Sequence, residues 1–193
     1  MEGRSMATIV LLVVIAAIVL WVIGAYNGLI GLKNQVANAW KQIDVQLKRR
    51  HDLIPNLVNT VKGAMEFERG TLEEVISARN KAVAATGVHQ TAQAEGELTQ
   101  ALGRLFALTE AYPDLKATGN VAQLQEELTS TENKIGFARQ LYNDVATQYN
   151  IRQATFPTML VAGLAKATPA ELWEIQDAAE RGVPAVDLSL KRP

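Results

Sequence analysis

The chain has 193 residues, with 19 Lys and Arg against 20 Asp and Glu and a hydrophobic fraction of 48%. That size suits one globular unit or one unit plus an appendage, the near-zero net charge gives no global reason to bind nucleic acid, and the apolar content excludes a disordered chain. Cysteine is absent and only His51 and His89 are histidines, which removes disulfides, thiolate nucleophiles and multi-histidine metal sites.

The first element is an uncharged run. No ionisable side chain other than Tyr26 occurs from residue 5 to residue 32, and residues 7–26 read ATIVLLVVIAAIVLWVIGAY. About 20 residues at a helical rise of about 1.5 Å reach roughly 30 Å, the thickness of a bilayer's hydrocarbon core. The apolar region of a cleavable signal peptide is usually only about 7–15 residues. Ile23-Gly24-Ala25 also lacks the first small residue of an A-x-A-like cleavage site. A retained single-pass anchor is therefore expected, with Trp21 and Tyr26 at its interfacial end. Gly24 and Gly28 form a G-x-x-x-G pair and are candidates for span self-association, a pattern that is also common by chance. Arg4 before the span is offset by Glu2, whereas Lys33 and Lys41 follow it, so the charge excess favours a cytoplasmic C-terminal side.

Beyond the anchor, apolar residues recur at steps of three and four. Trp40, Leu47, Ile54, Val61 and Val75 form one row, and Val36, Ile43, Leu57 and Ala64 its companion, a coiled-coil-like seam. Pro55 inside this pattern predicts a kink or restart. Thr71 with Glu74 would cap a new helix if the chain broke near Gly63 or Gly70. Residues 85–88 read as a connection. A second helix is expected over 91–111, with Leu98, Leu102, Leu105 and Leu108 inward, and a short loop over 114–119. The third helix opens at Asn120 and carries Leu124, Leu128, Ile135, Ala138, Tyr142, Val145 and Tyr149 to a stop at Phe156-Pro157.

The expected architecture is all-α: a transmembrane helix continuing into an elongated antiparallel bundle of three to four helices. The chain divides into a tail at 1–6, an anchor at 7–26, a bundle at 27–156, and a short apolar helix with a C-terminal tail at 157–193. Trp173 and residues 183–186 are candidates to dock on the bundle or bind a partner in extended form.

Charges on the seam single out candidate packing or interaction residues. Arg50 shares its phase with Val36, Ile43 and Leu57, and Glu68 falls on the other row, so both should find charged partners, with Glu127, Glu132 or Arg139 within the choice. Lys48 and Arg49 read as a solvated face, as lipid-attracting cations, or as a docking point. His51 beside Asp52 reads as a surface histidine. Adjacent carboxylates Glu73-Glu74 and Glu126-Glu127 point different ways on a helix, and no zinc-protease, serine-hydrolase or phosphate-loop motif is present, so no enzymatic activity or cofactor is expected.

Several segments carry a family resemblance: YNGLI at 26–30, Ala39-Trp40, IDVQLKRRHDLIPNLV at 43–58, Ala78-Arg79, YPDLK at 112–116, LQEEL at 124–128, ENKI at 132–135, Ala138-Arg139, Tyr142-Asn143, Tyr149-Asn150 and Phe156-Pro157. From the anchor to about Gly163 the chain resembles the bacterial LemA family. The resemblance adds Arg79 to the candidate residues. It implies a single-span protein of the bacterial inner membrane with its helical bundle in the cytoplasm and no established enzymatic activity. A seamed bundle on one anchor offers long helix faces and few chemical groups, which points to a membrane scaffold or assembly role with homo-oligomers. The family association alone implies the alternative, a regulatory adaptor of a membrane protease or other envelope protein. The lipid bilayer is the one partner that the residues themselves indicate.

Overall fold

The computed structural model describes residues 2–63, 68–112 and 119–174, and among these every regular element is helical. Helix α1 runs from Glu2 to Val61, so the apolar span and the first helix of the bundle are one continuous rod of 60 residues. At about 1.5 Å per residue it is roughly 90 Å long. A two-helix hairpin follows, α2 (Arg69–Ala84) and α3 (Gly87–Thr109), then the long α4 (Gly119–Ala154) and the four-residue α5 (Met159–Ala162).

The apolar phases explain the packing. Ile43, Leu47, Ile54, Leu57 and Val61 of α1 are buried, as the seam predicts, with Trp40 and Val36 at its edge. Ile43 and Leu47 meet the Ile135, Ala138 and Tyr142 row of α4, which runs back antiparallel beside α1. Farther from the span, Ile54, Leu57 and Val61 join Leu72, Val75, Leu98, Leu102, Leu105, Val121 and Leu128 in a four-helix core. Nearest the span, Leu29 packs on Tyr149 and Ala165. Leu108, Leu124 and Val145 sit at the margin of the core instead of within it, and Ala146 takes the inward position beside Val145.

Several boundaries differ from expectation. Pro55 is not among them: of the two outcomes expected there the restart does not occur, and α1 continues through it as the unbroken seam requires. Thr71 is not a cap, since α2 begins two residues earlier with Glu68 in the cap position and no side-chain cap bond. The α2–α3 connection shrinks to Ala85 and Thr86, because Gly87 adopts a φ of 78° and turns the chain directly into α3. That left-handed conformation is one that glycine alone enters freely. Ala64, the loop at 114–118 and the extended candidate at 183–186 lie outside the described residues.

Candidate functional site

Four helices converge on Arg50 and His51. The phase of Arg50 on α1 points the side chain into the bundle, where it is 4% exposed. Nη1 donates to Glu95 Oε2 of α3 at 3.1 Å, and Nη2 donates to Thr99 Oγ1 at 2.8 Å, one turn along the same face of α3. Glu132 of α4 brings Oε2 to 3.0 Å from Nη1, an ionic contact that lies off the N–H direction and is not a directed hydrogen bond. Glu95, also 4% exposed, accepts a second hydrogen bond on Oε1 from His51 Nε2 at 2.6 Å. A carboxylate paired with Arg50 accepts only, so the proton of that bond resides on His51 Nε2. A guanidinium and a carboxylate taken out of water this completely are tolerable only with such mutual satisfaction.

The fourth helix enters through the backbone. Pro55 has no N–H, so the carbonyl of His51, four residues earlier, loses its helical donor. Arg79 of α2 supplies one instead, its Nε donating to His51 O at 3.2 Å. Thus α1 tolerates Pro55 without ending there. The surrounding cleft, about 460 Å³, is lined by Arg50, His89, Glu95, Thr99, Glu132 and Arg139 among others. Thr99, its nearest hydroxyl to Arg50, already donates to Glu95 O at 3.0 Å. Arg50, Glu95, His51 and Thr99 therefore satisfy one another, an arrangement suited to fixing helix register. Among the described residues no group of three or more His, Asp and Glu side chains could hold a metal ion.

The other candidates are distributed differently. Arg49 pairs loosely with Glu127 at 3.7 Å on the surface, and Lys48 is exposed. Glu68 does not meet a charged partner among the described residues: it accepts a long hydrogen bond of 3.5 Å from the Tyr112 hydroxyl. His51 is not a surface residue. Its position three before Ile54 and seven before Val58 places it on the buried stripe. Gly24 and Gly28 lie at and just beyond the end of the span, where an added Cβ would meet nothing within 4 Å. Glu95 escaped the sequence reading although its spacing to Leu98, Leu102 and Leu105 puts it on the α3 seam.

A second constellation holds an extended segment. Asn150 accepts from Ala170 N and donates to Ala170 O, both at 2.8 Å, and Asn143 likewise accepts from Trp173 N at 2.8 Å and donates to Trp173 O at 3.0 Å. The Tyr142 hydroxyl donates to Glu171 O at 2.6 Å. Burial, then the nearby Glu171 carboxylate, holds the Tyr142 phenol above its usual value. These bonds seat Trp173 against Trp40 and Tyr142, with the Arg139 guanidinium 5.2 Å from its ring centre.

The LemA family model matches residues 39–188, which includes every side chain of both constellations. The chain belongs to the LemA family. It is 30% identical to Protein LemA of Metamycoplasma hominis over 142 residues, 72% of this chain and 64% of that protein. It is also 22% identical to the magnetosome protein MamQ 2 of Paramagnetospirillum magneticum over 181 residues, 80% of this chain and 66% of that one. The chain therefore spans just under two thirds of the length of these relatives. The LemA match begins beyond the span and continues past Gly163 through the Trp173 segment. The span itself is the single helix, among the described residues, that is long and apolar enough to cross a membrane.

Proposed function

We propose that this LemA-family chain is a non-enzymatic scaffold anchored in the bacterial inner membrane, with its bundle in the cytoplasm, that assembles by binding copies of itself. The observation that carries this reading is how the bundle distributes its chemistry. The buried Arg50, His51 and Glu95 are engaged in tying helices together, while Val45, Phe137 and Leu141 form an exposed apolar stripe along the α1–α4 flank. Phe137 is 74% exposed, unusual for a large apolar side chain on the side of a packed bundle. The family membership and the likeness to a magnetosome protein fit a role in organising a membrane. The open Gly24 and Gly28 face offers a second contact in and just beyond the end of the span.

The test uses the natural absence of cysteine. Phe137→Cys chains in native membranes, treated with a short bifunctional maleimide, should cross-link to dimers and higher species, and Gly24→Leu/Gly28→Leu should weaken that ladder. Persistent monomers would defeat self-assembly. A single stoichiometric foreign protein, such as a membrane protease, would replace the scaffold with the adaptor reading.

A further inference from the structure

The antiparallel register of α1 and α4 sets Tyr149 beside Leu29, three residues past Tyr26. Five residues later α4 ends at Ala154, which continuation of that register brings level with the last turn of the span. The chain then folds back through the cis Phe156-Pro157 bond, α5 and a tight return closed by Ala167 N to Ala162 O at 3.0 Å. Val161 and Ala165 face inward, at 2% and 6% exposure. In the same region Ala25 is 6% exposed, although Ile23 and Tyr26 around it are open. The tip of the bundle thus stands against the end of the span.

This turn has its large apolar groups on the outside. Phe156, Met159, Leu160 and Leu164 are all more than half exposed, while the small residues are used for packing. Its charges lean to the cationic side: no Asp or Glu occurs between residues 3 and 43 or between residues 145 and 170, so near this end Lys33, Arg152 and Lys166 stand against one exposed carboxylate, Glu171, where the chain returns to Asn150. An exposed apolar patch with a collar of cations, continuous with a membrane span, has the chemistry of an interfacial insertion into an anionic leaflet.

We propose that the turn at residues 155–166 is a second membrane contact, dipping its Phe156, Met159, Leu160 and Leu164 side chains into the leaflet that the span leaves, with Lys33, Arg152 and Lys166 at the headgroups. The occupant of this surface is lipid. The inference rests on residues 7–26 being the membrane span, and it gives the bundle two points of attachment, so that it cannot swing freely on one helix.

Single-cysteine variants of the full chain, each carrying an environment-sensitive fluorophore, decide the matter after reconstitution in phosphatidylcholine vesicles containing phosphatidylglycerol. Leu160→Cys reports on the turn, Val14→Cys on the span and Asn59→Cys on the far end of the bundle. Lipids spin-labelled near the top of the acyl chain should quench the Leu160 probe several-fold more than the Asn59 probe. With Arg152→Glu/Lys166→Glu added, that difference should shrink. Equal quenching at Leu160 and Asn59, with Val14 still quenched, overturns the second contact and leaves the anchor standing. An unquenched Val14 probe removes the anchor itself. A Leu160 probe shielded from both lipid quencher and aqueous iodide assigns the turn to a protein partner and overturns the lipid assignment.

Discussion

Pro55 and Arg79 are two halves of one device, and a double-mutant cycle should expose it. Arg79→Leu leaves the His51 carbonyl without its donor, and a part-buried group deprived of a charge-assisted bond costs about 1–3 kcal/mol. Pro55→Ala restores an amide hydrogen to the helix, so Arg79→Leu should cost measurably less in that background. Urea unfolding of the detergent-solubilised chain checks this. Additive costs would mean that Arg79 acts by packing alone. Arg50 provides a larger effect. Arg50→Ala strands Glu95 and Glu132 and should destabilise by about 3–5 kcal/mol, whereas Arg49→Ala, at an exposed pair, should stay within about 0.5 kcal/mol. Arg50→Met with Glu95→Leu should recover much of the loss, because an apolar pair carries no buried charge. Of this cluster, Arg50 and its Glu132 partner were legible, since a charge in an apolar phase requires an opposite one. Glu95 and His51 were equally in phase. They were missed because each reads as an ordinary surface residue when its neighbours are scanned for apolar groups alone.

At the scale of elements, the docked segment depends on a match of periods. Seven residues of helix rise about 10.5 Å, and three residues of extended chain cover about 10 Å. Asn143 and Asn150 are therefore spaced to grip the backbone at Trp173 and Ala170, and side chains that bond backbone at both N–H and C=O hold it irrespective of its sequence. Asn150→Ala removes both bonds to Ala170 and should release the segment. Tryptic cleavage after Lys166 would accelerate and Trp173 emission shift to the red, while helicity is retained. Unchanged cleavage would show that Trp173 burial suffices alone. Alkaline titration provides an independent check. The folded Tyr142 phenol is raised above 10.0, so its contribution is complete below that value and is lost as pH rises through the folded one. Tyr142→Phe should abolish this alkaline leg of stability. The helices themselves were visible in the sequence because amphipathic phase is a long, redundant signal. The asparagine clamps were not, because two polar residues at a spacing of seven look like any solvated helix face. That α1 would continue past Pro55 was legible from the unbroken phase of its seam, but the donor that compensates for the proline lies on another helix, at residue 79, and was not.

For the whole molecule the open variable is the side of the membrane on which the bundle stands. Insertion reads the charges close to the span in sequence, and there Lys33 and Lys41 outweigh Arg4, which Glu2 offsets. Folding then carries Arg152 to the same end, far beyond that window, so it has no voice in orientation but acts on the surface the bundle faces afterwards. Both steps favour one answer, because cytoplasmic leaflets are the anionic ones that such a cationic end would meet. Thr86, in the exposed α2–α3 connection, is the reporter of choice in a chain without native cysteine. Thr86→Cys in intact spheroplasts should resist a membrane-impermeant maleimide and become labelled only on lysis. Labelling before lysis would place the bundle outside and reverse the charge argument. The cationic end would then face the outer leaflet, and the partners to be sought would be envelope components instead of cytoplasmic ones. Moving both lysines to the other flank, with Lys33→Gln/Lys41→Gln and Gly3→Lys/Ser5→Lys, should raise the fraction labelled in intact cells if those residues set the orientation. If labelling stays at the lysis-only level, the folding of the long cytoplasmic bundle, and not its first cations, holds the chain in place.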